Sequence, residues 1–439
     1  MKKVLFLAYY YSPSGGAGVQ RTVKFVKYLP DFGYIPVVAA GTGGDILFPP
    51  DNELSQEVEH VKRYDIQLSK KETKFNKALK GRLGRWFRIS MQAWMHAAFR
   101  TVNHAIEDEK PDLLFVTTSP FQAAKVGVWA AQKYNIPWVL DMRDPWALDP
   151  ITQYSSKIHY QLELQAMKNA CQHANAVVMN TPSAKQAAIK AFSEIPPAKF
   201  YCITNGWDRQ DFQKCEPQDS PCKRPLTIVH TGLFHVEGAK RNSKFRLSRI
   251  FRYSISPINL LARSPYYLFA ACKKLIQEKK IEPDAIRFIF AGDATPYDRQ
   301  LAEDFGLQDV TEFRGYLNHS QSIQLLFEAD VLFLPLHELQ NGSDPLIVPG
   351  KTYEYLASKK PILACVPKGD AYNFVHQSGL GYMCSPSNIE QISKALLFFI
   401  EHRNKNTGIP IKPNNHFIEK FERCALAKKL AELFNEVLK

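Results

Sequence analysis

The stretch Val348-Pro-Gly-Lys-Thr-Tyr-Glu-Tyr-Leu-Ala357, with Ala329-Asp-Val-Leu-Phe-Leu-Pro335 before it and Lys360-Pro-Ile-Leu-Ala364 after it, decides how this chain folds. The run from Ala329 to Pro335 reads as a buried parallel strand with its proline at the carboxyl end. A loop containing Gly342 and Gly350 follows, then a short helix, then the next apolar run. Strand, loop, helix and strand in that order make the repeating unit of a parallel sheet. The helix presents Lys351 and Glu354 one turn apart, and residues three apart share a helix face. A Lys–Glu pair on a short helix is, taken alone, an ordinary surface ion pair. Its place after a strand end changes the reading, because open α/β sheets bind ligands at the carboxyl ends of their strands. A cation there suits a diphosphate, and a carboxylate suits the two hydroxyls of a ribose.

Outward from this stretch the same alternation covers the chain. Strand signals fall at 3–10, 35–40, 112–118, 137–142, 176–180 and 200–204, with helical segments at 19–29 and 121–134. They restart at Leu226-Thr-Ile-Val-His-Thr-Gly232 and continue at 286–292, 310–315, 331–334 and 362–366. Residues 214–225 between the two sets are rich in Pro, Cys and charge, which is linker chemistry. The expected class is α/β, with two Rossmann-like parallel-sheet domains facing across a cleft. The expected divisions are residues 1–214, residues 215–415 and a last helical segment, 416–439.

Composition narrows the function. Hydrophobic residues at 45% and aromatics at 12% describe a well-filled globular chain. The eight cysteines form no CxxC pair and no Cys/His cluster at zinc spacing, so a reducing cytoplasm and no metal are expected. No apolar run approaches the roughly 18 residues of a membrane span. The basic, apolar start at Met1 resembles a leader, but Pro13 and a glycine-rich turn follow at once, as at the end of a first strand. A net charge of +13 implies an anionic partner. In the segment Lys70 to Arg88, basic residues mix with Phe75, Leu79, Leu83, Trp86 and Phe87, and Trp94 and Phe99 lie just beyond. Two readings stand: an interfacial segment on an anionic membrane, or a helix packing its aromatics inward with a solvated basic face. Residues 240–263 carry seven basic residues and no acid, and read as a charged insertion.

Other strand ends carry polar function. Ser12-Pro-Ser-Gly-Gly-Ala-Gly18 is neither a dinucleotide fingerprint, since Arg21 stands where its third glycine would be, nor a Walker A loop. Gly15 and Gly16 suit the close approach of a substrate to backbone N–H groups. Asp141-Met-Arg-Asp-Pro-Trp146 gathers two carboxylates, a guanidinium and an indole. Asp144 or Asp141 suits a sugar hydroxyl, with Asp144 the candidate for an acceptor or sugar contact, Arg143 suits an anion and Trp146 a pyranose face. The competing reading is an ion-pair network among Asp141, Arg143 and Asp144 that fixes a loop. Ser119, in Thr117-Thr-Ser-Pro120, ends the neighbouring strand. In the second half Gly232 and Gly292 end strands with small residues, and Arg263 stands with Lys351 as a diphosphate clamp.

In this order the chain resembles the GT-B glycosyltransferases, specifically the retaining family 4-like group that builds bacterial polysaccharides and lipid-linked glycans. The resemblance runs through the Ser12 to Gly18 loop, Arg143-Asp-Pro-Trp146, Asn205-Gly-Trp-Asp208, Ala291-Gly-Asp293, Phe313-Arg-Gly315, the strand at Ala329 and the Lys351/Glu354 helix. It implies that a nucleotide-diphosphate sugar binds the C-terminal domain, with no cofactor and no metal, and a glycan or lipid-linked acceptor the N-terminal one. The final helix would pack back on the first domain. Work on cell-surface polysaccharide at the cytoplasmic face of the plasma membrane follows, with no nucleic acid as partner. The chain departs from the group's E-x7-E pair: Glu354 matches the second glutamate, but Leu346 occupies the first position. Asp344 or main-chain N–H groups near it are the candidate replacements. The alternatives are a GT-B isomerase of the UDP-sugar 2-epimerase type and a non-enzymatic basic binder of membrane or nucleic acid.

Overall fold

The structure is a computed structural model and describes residues 1–43, 49–73, 90–213, 225–234, 252–405 and 407–439. The chain divides into two compact units. The first takes in Met1–Gly206 and Arg423–Lys439, with Tyr253 joined to it, and the second holds most of Trp207 to Glu422. Each is built on a parallel sheet, so the α/β class with two Rossmann-like domains holds.

The first unit's sheet contains β1 (Lys2–Ala8), β2 (Tyr34–Gly43), β3 (Arg63–Gln67), β4 (Leu113–Thr118), β5 (Trp138–Met142), β6 (Ala176–Met179) and β7 (Phe200–Cys202), in the order β3-β2-β1-β4-β5-β6-β7. β4, β5 and β6 are buried throughout, as strands covered on both faces must be. β1 lies inside this sheet, between β2 and β4. Sequence reading missed β3 because it is an edge strand, Arg-Tyr-Asp-Ile-Gln, in which only Ile66 is buried. The first unit's core joins Phe6, Phe25 and Phe115 to Phe434 of the final helix Arg423–Val437. Tyr34 packs edge-on against Phe434 and donates its hydroxyl hydrogen to Asn435 Oδ1 at 2.7 Å. The final helix is thus part of the first unit's core. Residues 415–421, which precede it, belong to the second unit.

The second unit's sheet contains β8 (Leu226–Thr231), β10 (Ile286–Ala291), β11 (Thr311–Gly315), β12 (Val331–Pro335), β14 (Ile362–Cys365) and β15 (Gly381–Cys384), in the order β11-β10-β8-β12-β14-β15. A small antiparallel pair joins β9 (Ile258–Asn259) to β13 (Glu338–Leu339). The short edge strand β15 and this pair were not legible as strands in the sequence. Helix His319–Glu328 starts at a capping box in which Asn318 and Gln321 satisfy each other's backbone N–H groups. That box fixes His319 at the helix entrance, where it matters below.

Among the described residues no helix is long and apolar enough to cross a membrane. Most of the basic segment 70–88 and the first half of the insertion 240–263 lie outside the described residues. Trp94 does not: it is buried and donates its indole N–H to Gly41 O at 2.7 Å, while Phe99 packs edge-on against Trp129. The Trp94 ring thus serves the core rather than a headgroup layer, and Phe99 is half-buried.

Candidate functional site

The polar groups of the second unit gather at the carboxyl ends of β8 and β10. β8 ends in His230-Thr231 and runs into Gly232, which has φ +102°. The Gly232 N–H donates to Ala291 O at 2.6 Å, and the Gly292 N–H to Gly315 O at 2.7 Å. A Cβ on Gly292, itself at φ +131°, would stand 2.7 Å from the Gly232 carbonyl carbon. A Cβ on Gly232 would stand 2.7 Å from Lys351 Nζ. Both positions therefore require glycine, and together they let the lysine reach the strand ends.

Lys351 opens the helix Lys351–Ser358. Its Nζ lies 2.8 Å from His230 Nε2, and His230 Nδ1 lies 2.9 Å from Phe333 O. A carbonyl can only accept, so Nδ1 carries the imidazole hydrogen and Nε2 presents a lone pair to the lysine. Burial of Nζ, and then the positive charge of Arg263, push the ammonium down to about 7, while Glu354 acts in the opposite sense. Arg263, half-buried, ends the turn Leu260–Arg263. The structure thus brings Arg263, Lys351, Gly232 and Gly292 together, as the sequence suggested. Tyr355, on the same helix, is buried and accepts a hydrogen bond from the Thr231 backbone N–H at 2.9 Å. Burial raises its phenol far above the ordinary value.

Glu354 lies on the same face as Lys351 and faces His319, whose Nδ1 stands 3.8 Å from Glu354 Oε1. The other nitrogen of His319 is 2.9 Å from Asp211 Oδ2. Carboxylate, imidazole and carboxylate thus form a chain that ends on the residue expected to hold a ribose. Asp344 is exposed. With Glu338, Gly342, Lys368 and Tyr372 it borders a cavity of about 640 Å³ near the carboxyl ends of β12, β14 and β15. Lys351, Glu354, Gly232 and Gly292 are not among that cavity's described lining residues.

In the first unit the buried ion pair of Asp141 differs from the Asp141–Arg143–Asp144 network that the sequence offered. Asp141 and Arg21 are both 1% exposed and joined by charge-assisted hydrogen bonds, with Arg21 Nη2 at 2.7 Å from Asp141 Oδ1. Arg21 also donates to the Thr204 and Ile203 carbonyls, and Thr117 Oγ1 donates to Asp141 Oδ2. The buried network therefore runs through Arg21, not Arg143. Arg143 instead donates to Gly18 O at 2.8 Å and lies over the Tyr10 ring. Asp144, with side-chain exposure of 45%, is 3.7 Å from Arg143. Trp146 is 3% exposed, stacked flat on Phe121, and donates its indole N–H to Glu163. Its ring is a packing element here and not an open platform for a pyranose. Gly15 donates its N–H to Pro49 O, Gly16 starts the helix Ala17–Tyr28 at φ 91°, and Ser119 follows β4, half-buried.

His230 and His319 were not singled out from the sequence. One signal was present: a histidine inside the otherwise buried-strand run Leu226 to Thr231 is a costly residue that needs a partner.

Two parallel α/β units of this kind make up the GT-B architecture. Residues 18–211 match Glycosyltransferase Family 4, and residues 264–416 match Glycosyl transferases group 1. The chain is a family 4-like glycosyltransferase of the GT-B fold. No curated protein matches the sequence. Among solved structures, Anabaena HepE in complex with UDP-glucose is similar at 17% identity and TM-score 0.63, with 99% of this chain and 100% of that one covered. Sucrose-phosphate synthase from Thermosynechococcus elongatus is similar at 14% identity and TM-score 0.64, covering 100% and 99%. The fold likeness extends to the UDP-GlcNAc 2-epimerase of Methanocaldococcus jannaschii, at 11% identity and TM-score 0.55, covering 99% and 100%.

Proposed function

We propose that the enzyme transfers a sugar from a uridine diphosphate donor to a glycan or lipid-linked acceptor, with retention of configuration and without a metal, in cell-surface polysaccharide synthesis. The observation that carries this reading is the pair of cations, Arg263 and Lys351, at glycine-ended strands, with the charge of one disfavouring the charge of the other. Two cations crowded at one place gain most from an anion that meets both, and a diphosphate does so. The uridine base is suggested by the UDP and UDP-glucose bound to the similar HepE structures.

In the reaction, the bond from the anomeric carbon to the diphosphate breaks and negative charge grows on the leaving oxygens. Arg263 and Lys351 offset that charge as it develops, which lowers the barrier. Glu354, steadied by His319, accepts the ribose hydroxyls. The acceptor hydroxyl enters on the face the leaving group departs from and gives its proton to the departing diphosphate oxygen, and Asp144 with Arg143 and the Gly15–Gly16 turn would meet the acceptor. Asp344 is the proposed sugar contact in place of the glutamate that Leu346 displaces. No nucleophilic residue is assigned. The basic segment 70–88 is proposed to hold the enzyme to the anionic inner face of the plasma membrane.

Calorimetric titration with UDP, GDP, ADP and their sugar conjugates in EDTA tests the donor. Micromolar affinity for uridine nucleotides alone supports the reading, and affinity only when a divalent cation is restored ends the metal-independent part. Incubation of the bound donor with and without acceptor glycans then separates transfer from isomerisation, which would return an epimerised nucleotide sugar with no acceptor present.

A further inference from the structure

We propose that His230 is a positioning residue for Lys351, and that capture of the donor diphosphate by this pair takes up a proton from solvent. The inference rests on the donor-site reading above. His230 is 1% exposed at the penultimate position of β8. Phe234 stacks on its ring at 4.3 Å between centroids and 15° between planes, and Phe333 and Phe290 stand beside it at 6.0 and 6.4 Å. With Nδ1–H bound to Phe333 O, the ring has no freedom to turn, and its Nε2 lone pair is aimed at Lys351 Nζ. With Nδ1–H committed to the Phe333 carbonyl, Nε2 meets Lys351 Nζ as a hydrogen-bond acceptor.

Among the described residues, the charged and titratable groups facing the lysine are His230 from β8, Arg263 from the turn at 260–263 and Glu354 from its own helix. Burial and Arg263 favour the amine, and His230 accepts a hydrogen bond from either form. An arriving diphosphate reverses the balance, because it meets Nζ with negative charge where Arg263 had met it with positive. The proton moves from buffer to Nζ, and no covalent bond is broken. About one pH unit above the free lysine's value of about 7 the uptake is nearly complete, and about one unit below it the ammonium is already formed. The diphosphate of a nucleotide sugar is a diester with no ionisation near neutrality, so the ligand itself contributes no proton.

The test is calorimetric titration with UDP-glucose, GDP-mannose and ADP-glucose, pursued with whichever binds most tightly. It is run at two pH values, each in two buffers of different ionisation enthalpy. The expected result is an uptake of roughly 0.9 proton per ligand at pH 8 and about 0.1 at pH 6. Lys351→Arg, cationic at every pH, should bind with no uptake. His230→Phe should weaken binding about tenfold, and His230→Gln, which keeps an acceptor, should restore most of it. Binding at pH 8 without proton uptake overturns the proposal and leaves the donor site standing. Failure of all three ligands to bind removes the donor-site reading and this inference with it.

Discussion

The carboxyl ends of the two sheets are both polar, yet the polarity is used in opposite ways. In the first unit Arg21, Asp141, Thr117 and the carbonyls of Ile203 and Thr204 form a closed set in which donors meet acceptors. In the second unit burial first, and then the charge of the neighbouring Arg263, disfavour the Lys351 ammonium. A closed buried network holds a fold, whereas a cationic cluster with an unfavourable balance is completed by an anion. Strand-end polarity is therefore not itself a sign of a site; what decides is whether the charges cancel.

The largest break in that comparison is at Arg21. Arg21→Ala would leave the Asp141 carboxylate buried without its cation, at a cost of about 3–5 kcal/mol in denaturant unfolding. The pair Arg21→Met with Asp141→Leu should recover most of the loss, because no charge is then left buried. Were Arg21→Ala to unfold like the wild type and lose only activity, the network would belong to function and the contrast between the units would fall.

Lys351→Ala is the opposite case. It removes a cation from a cationic cluster, so the unfolding midpoint should hold while kcat/KM drops by 10²–10³, about 2.7–4 kcal/mol of transition-state stabilisation. A large loss of stability instead would mark the lysine as structural. Glu354→Ala should act on binding, raising the donor Kd by roughly 1.5–3 kcal/mol, with a smaller change in the chemical step. His319→Ala should move the same quantity in the same direction but less, since it acts through Glu354.

The lysine also sets a pH dependence of stability. Its value in the folded protein is lowered from 10.5 to about 7, so between those limits the unfolded chain binds more protons than the native one. Stability contributed by this group therefore rises as pH rises through that window. Lys351→Met, with no charge to bury, should be more stable than the wild type at pH 6. That advantage should shrink as pH approaches 10, read as converging thermal midpoints.

The fold was legible because the buried strands announce themselves: Leu113–Thr118 and Val331–Pro335 are apolar runs bounded by turn residues. β3 and β15 were not, since edge strands need no apolar run. Arg263, Lys351, Gly232 and Gly292 were legible because strand ends are where an α/β sheet binds ligands. His230 was hidden inside a strand, where a polar residue gives no periodic signal. Arg21 was read only as the absence of a glycine, and its partner lies 120 residues away, a pairing that only the sheet order supplies. Trp146 was misread for a related reason. Its residue type suits a sugar, but the Phe121 ring that covers it comes from a different part of the chain.

The smallest expected effect sharpens the comparison from the side of the first unit. Asp144 is the acidic residue of its segment that the closed network leaves out: Asp141 is sealed by Arg21, whereas Asp144 is half-exposed and 3.7 Å from Arg143. An exposed pair at that distance contributes little, so Asp144→Asn should change unfolding free energy by less than about 0.5 kcal/mol. Donor affinity should not move, because every group assigned to the donor belongs to the second unit. Saturation by acceptor should weaken, since the amide keeps the shape of the carboxylate and loses its charge. Weaker donor binding in this variant would mean that the first unit also reads the nucleotide, and the division of labour between the two sheets would have to be redrawn.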